Sequence, residues 1–138
     1  MRSLSNLIRM QKWKLDEQRR VVGDLEELTG NYQAQLQALE DEFASEKQLA
    51  ADNPDVGMMF SQYADAARLR KGNLTATIEE LQDKLSDERD VMAELFQELK
   101  KYEISEETRL RRLKEAEGRR QQEEMDAFSL EIFRRNQK

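Results

Sequence analysis

The groups in this chain whose type and spacing could do chemistry are cationic and aromatic rather than catalytic. Arg2, Arg9, Lys12, Lys14, Arg19 and Arg20 flank Trp13, and the stretch RLRRLKEAEGRR (residues 109–120) holds six basic residues in twelve. Guanidinium groups at this density can grip carboxylates in pairs of hydrogen bonds. The chemistry on offer is therefore docking. Covalent chemistry is poorly supplied: with no histidine and no cysteine, general bases and nucleophiles reduce to carboxylates and lysine. The five glycines are scattered, so no glycine-rich phosphate loop can form. No enzymatic activity is expected, and no catalytic residue, cofactor or metal is assigned.

The basic run admits three readings. The plainest is a solvated charged helix face. An acidic protein surface comes next, and nucleic acid last, because acidic residues are interleaved and no aromatic residue is placed to stack on bases. Apolar residues add a second signal. Trp13 and Met10 lie away from the main apolar stripe described below, and Leu7, Val21 and Leu28 widen it on one flank. An exposed Trp–Met face marks a docking surface, unless the apolar tail MDAFSLEIF folds back to cover it. Near the middle of the chain, Met58, Met59, Tyr63 and Leu69 also lie off the stripe, available either to a partner or to close a helix end.

These groups must be positioned by helices. Alternating steps of three and four from Leu4 run through Ile8, Gln11, Leu15, Gln18, Val22, Leu25, Thr29, Tyr32, Leu36, Leu39, Phe43, Glu46 and Ala50; ten of the fourteen are apolar. The same steps from Phe60 pass Ala64, Ala67, Lys71, Leu74, Ile78, Leu81, Leu85, Glu88, Met92, Leu95, Leu99 and Tyr102; eleven of the thirteen are apolar. A sustained repeat of 3.5 residues specifies a helix supercoiled on a partner. Gly23 and Gly30 weaken the first seam locally.

Between the seams stands ADNPDVGMMF, with the chain's only proline, Pro54. Asn53-Pro54 disfavours helix, Asp52 and Asp55 can cap or turn, and Gly57 tolerates positive φ. Two seams of matching length around such a break predict an antiparallel hairpin. The expected fold is all-α, one coiled-coil domain over residues 1–138, with helices at about 3–50 and 58–135 and a turn at 51–57. At ~1.5 Å per residue the paired region would span roughly 70 Å. Beyond Tyr102 the repeat loses its apolar residues, which predicts a C-terminal helical overhang held by charge pairs three and four residues apart.

Composition agrees with thin helix pairs. Charged residues are 38% of the 138, as are apolar ones, enough for a seam but not a thick core. Net charge is −6, unevenly spread: residues 1–20 carry six positive and two negative charges, whereas residues 21–57 carry one positive and nine negative. No stretch is apolar enough for a secretory signal or a membrane span, so a soluble, cytoplasmic protein is expected.

The opening MRSLSNLIRMQKWKLDEQRR resembles the N-terminal signature of FliJ proteins of the flagellar type III export apparatus, through Arg2, Leu7-Ile8-Arg9, Trp13 and Glu17-Gln18-Arg19-Arg20. FSQYADAARLRKGNL is similar to the same group through Tyr63, Ala66-Ala67-Arg68 and Asn73-Leu74, and QQEEMDAFSLEIFRRN resembles the family's charged tail. The resemblance implies an antiparallel coiled-coil stalk seated in a hexameric export ATPase and touching the cytoplasmic domain of the export gate, peripheral to the inner membrane through protein partners. An escort role for export chaperones is also ascribed to the family. It further implies that Arg9, Trp13, Arg19, Arg20, Arg112 and Arg119 meet the ATPase, and that Phe60, Tyr63, Ala67 and Leu74 lie near the gate contact.

Overall fold

The computed structural model describes residues 2–137, and these are helical almost throughout, with no strand among them. The side chain of Arg2, one of the basic groups named above, lies outside what is described. Helix α1 spans Arg2–Asp52, a single 3₁₀ turn occupies Pro54–Val56, and helix α2 spans Gly57–Asn136. The fold is an all-α helical hairpin.

The break is tighter than the expected turn at 51–57. Helix α1 takes in Ala51 and Asp52, and α2 starts at Gly57, so only Asn53 falls outside helical geometry. Asn53 is extended (φ −130°, ψ 88°), as a residue before proline must be. Pro54, with its fixed φ and no N–H to leave unpaired, then opens the 3₁₀ turn. The freedom of Gly57 to take positive φ is not used: it has φ −58° and ψ −37°, ordinary right-handed helix. Capping also differs. Neither Asp52 nor Asp55 caps the turn; Asn53 instead donates from both its backbone N–H and its side-chain amide to the Leu49 carbonyl, at 3.1 Å each.

Contacts divide the chain into two units. One is Lys14–Glu94; the other gathers the residues before Lys14 and after Glu94. In the first unit the helices run antiparallel on either side of the break, and the heptad stripe is the core. Leu15, Val22, Leu25 and Leu39 of α1 are buried, with Ala64, Ala67, Leu74, Ile78 and Leu85 of α2. Val22, Leu25 and Leu85 form one cluster, backed by Leu81 and Met92. Leu39, Ala67 and Leu74 form another, backed by Tyr32, Leu36, Phe43 and Tyr63. The polar seam positions are accommodated locally. Thr29 is 5% exposed and donates its hydroxyl to the Leu25 carbonyl at 2.6 Å, one turn back. Lys71, an exposed member of the stripe, pairs with Glu40 on the facing helix at 3.5 Å.

In the second unit the same spacing continues: Leu4, Ile8 and Gln11 are half-buried, as are Leu95 and Tyr102, and Leu99 is buried. Burial ends at Arg109. Every described residue from Leu110 to Gln137 is exposed, yet helix continues through Asn136. Local pairs such as Arg109–Glu106 (2.8 Å) and Arg120–Glu117 support it from within.

Candidate docking surfaces

In the second unit, Trp13 sits at a helix position turned away from the seam and is 64% exposed; Met10, three residues earlier, is 53% exposed. Arg9 lies four residues before Trp13, hence on the same face of α1. The MDAFSLEIF segment does not cover this face: Met125 and Phe128, like Trp13, remain open. Arg112 and Arg119 are two turns apart on one face of α2. Among the described residues, Arg9, Arg112 and Arg119 make no ion pair, so each guanidinium keeps its donors for a partner. A shallow groove of about 480 Å³ beside Arg112 is floored by Ile104, Thr108 and Leu113.

Arg109 differs from its neighbours. Its guanidinium grips Glu106 through two hydrogen bonds, at 2.8 and 3.3 Å. That hydrogen bonding, opposed by partial desolvation, holds the Glu106 carboxyl below its ordinary range and raises Arg109 in turn. Arg109 is thus committed within the chain.

The Lys14–Glu94 unit carries Arg19 and Arg20, both exposed. Each is tied to a carboxylate three residues back on its own helix, Asp16 and Glu17, at 3.3 Å. Such exposed pairs are weak and exchange readily for a better partner.

The hairpin tip of that unit holds an aromatic trio. Phe43 lies 5.7 Å from Phe60 and 6.3 Å from Tyr63 between ring centroids, and Phe60 lies 6.2 Å from Tyr63. Tyr63, expected off the seam, is half-buried and closes the end of the core. Its hydroxyl is buried without a well-aligned hydrogen-bond partner. Desolvation first, then the charge of the nearby Glu42 carboxylate and its hydrogen-bonding pull on the phenol, and last the charge of Glu46, raise its pKa. Beside the trio a groove of about 590 Å³ is bounded by Glu42, Glu46, Leu49, Val56 and Met59. Met58 and Met59 are 83% and 73% exposed. Ala67 and Leu74, by contrast, are 7% exposed and belong to the core, so a partner reaches them only by parting the helices. Phe60 and Tyr63 are the accessible members of that group, and Met58 and Met59, which the seam leaves outside, are the most open.

Among the described residues no three acidic side chains converge as metal ligands would, and no helix is long and apolar enough to cross a membrane. No protein-family model, curated protein or solved structure matches the chain.

Proposed function

We propose that this chain is a non-enzymatic stalk subunit of the flagellar type III protein export apparatus, akin to FliJ proteins. Trp13 with Arg9, Arg112 and Arg119, joined by Arg19 and Arg20, docks on the hexameric export ATPase. The hairpin tip, through Phe60 and Tyr63 with Met58 and Met59, meets the cytoplasmic domain of the export gate, and export chaperones are escorted by the same molecule. The chain works in the cytoplasm at the inner membrane, held there by protein partners, with no nucleic acid and no cofactor.

The observation that carries this reading is the presence, in one unit, of an exposed Trp13 and three guanidinium groups that no carboxylate among the described residues occupies. An exposed aromatic anchor in the same unit as unpaired arginines suits an acidic protein surface. The sequence likeness of the first twenty residues to FliJ proteins supports the export ATPase as that surface.

Adding the protein to the cognate export ATPase raises its turnover and its hexamer fraction. Trp13→Ala, or Arg112→Glu with Arg119→Glu, lessens both, while circular dichroism stays unchanged because these side chains are outside the packed seam. An ATPase indifferent to the protein in both turnover and assembly sinks the proposal.

A second reading is a general coiled-coil chaperone or scaffold, either an injectisome stalk counterpart or a hairpin that holds unfolded clients. The exposed Met58 and Met59 favour it, since methionine surfaces adapt to varied apolar partners. Suppression of client aggregation that Met58→Ser with Met59→Ser abolishes, without any effect on the ATPase, selects it.

A further inference from the structure

The end of α2 presents an apolar face that no described residue covers. Met125, Phe128, Leu130, Ile132 and Phe133 are between 42% and 66% exposed. Steps of three and four place Met125, Phe128 and Ile132 in one stripe, with Phe133 on its flank. The charge order along this segment is polar in the other sense: Glu123, Glu124 and Asp126 precede or enter the stripe, and Arg134 and Arg135 follow it.

We propose that this segment pairs with the same segment of a second copy of the chain, antiparallel, about a twofold axis beside Ser129. A parallel pair would set acidic against acidic and basic against basic, whereas the antiparallel pair overlays the two signs. Helical phase sharpens the match. Glu124 and Arg135, eleven residues or about three turns apart, share one flank of the stripe. Reversal about a point between Ser129 and Leu130 brings Glu124 of one copy to Arg135 of the other, twice by symmetry. Arg135 is paired with Glu131 of its own helix, at 3.7 Å with both side chains more than half exposed, a contact easily exchanged.

The shared length is short. Some seventeen residues per copy bury well under the ~1,600 Å² of a standard interface, so the dimer is weak and concentration-dependent. The pairing goes beyond the stalk reading. It uses none of the residues assigned to the ATPase or the gate, and the test needs neither.

Sedimentation of the full chain shows a monomer–dimer equilibrium at micromolar concentrations. Phe128→Asp weakens it by about tenfold or more, as loss of a central aromatic anchor does, with helicity unchanged because Phe128 is exposed in the monomer. Glu124→Arg or Arg135→Glu alone weakens the dimer, and the two together restore it. The chain has no cysteine, so Ser129→Cys gives a disulfide-linked dimer, while Gln121→Cys, far from the axis in this arrangement, does not. A chain monomeric at every concentration overturns the proposal, as do a double charge reversal without rescue and a Gln121→Cys variant that cross-links as readily as Ser129→Cys.

Discussion

Gln18 of α1 reaches across the hairpin to Glu88 of α2, donating one amide group to both its backbone carbonyl, at 2.9 Å, and its carboxylate. Both residues occupy stripe positions where an apolar side chain would pack. The contact is the hairpin's polar register pin, because only one alignment of the helices brings the amide to both acceptors. Gln18→Leu leaves the half-buried Glu88 carboxylate without its donor and costs about 1 kcal/mol. Replacing both residues with leucine raises the melting temperature above that of the parent, since an apolar pair fills the seam. The double variant loses register specificity, visible as broadened distance distributions between spin labels at Val22 and Leu85. A thermal double-mutant cycle checks the energies, and equal melting of the single and double variants refutes the pin.

Packing along the stripe is thin, so each buried leucine matters. Leu39→Ala opens the cluster with Ala67 and Leu74 and costs about 2–4 kcal/mol. Leu113→Ala, on the exposed end of α2, stays within about 0.5 kcal/mol of the parent. Proline gives the same contrast: Leu36→Pro or Leu81→Pro removes helix over much of the Lys14–Glu94 unit, whereas Arg119→Pro leaves that unit's amide exchange protection intact. Matching losses from Leu36→Pro and Arg119→Pro would mean that the exposed end carries packing not visible in its burial.

The stripe was legible because a 3.5-residue period leaves little freedom. Nearly every position stepped from Leu4 and Phe60 is buried or half-buried, and the exceptions, Glu46 and Lys71, are themselves charged. The exposure of Trp13 followed from the same frame. The break was legible in place but not in form. Pro54 was read as ending a helix, yet a proline fits the first turn of a new one equally well, and here it starts the 3₁₀ turn that leads directly into α2. For Tyr63 the sequence leaves a partner and the helix end as alternatives, and the structure takes the second: a helix end has no further seam layer, so an off-stripe aromatic can swing in beside Phe43 and Phe60 to close the core. Which arginines are free was not legible at all. Arg109 and Arg112 look alike in sequence, and only the three-residue spacing to Glu106, met by a suitable rotamer, commits the first.

Gly23 and Gly30 lie within α1 on its exposed side, with φ in the normal helical range and nothing within 4 Å of where a Cβ would stand. Alanine at either position narrows the unfolded ensemble without meeting any atom, so each substitution stabilises by about 0.5–1 kcal/mol. The effects add, because the sites are seven residues apart with no shared contact. Thermal melts of the two single variants and their combination measure this. A loss of stability at either site would show that the glycine faces a partner rather than solvent.

The phenol of Tyr63 gives the hairpin tip an alkaline weakness. Burial, then Glu42, lifts its pKa above the ordinary value of about 10. In the window just above that value the unfolded chain has released this proton while the folded chain still holds it. The unfolded state therefore binds fewer protons, and stability falls as pH rises. Tyr63→Phe removes this contribution, and because the hydroxyl has no well-aligned partner, the variant is at least as stable as the parent near neutrality. Part of the alkaline slope survives in Tyr63→Phe, since Tyr102 is raised as well, chiefly by hydrogen bonding to Glu98 and by its charge. Ultraviolet titration of the phenols, run beside denaturant melts at rising pH, separates the two. A Tyr63→Phe protein with an undiminished slope would place the alkaline transition elsewhere than at the tip.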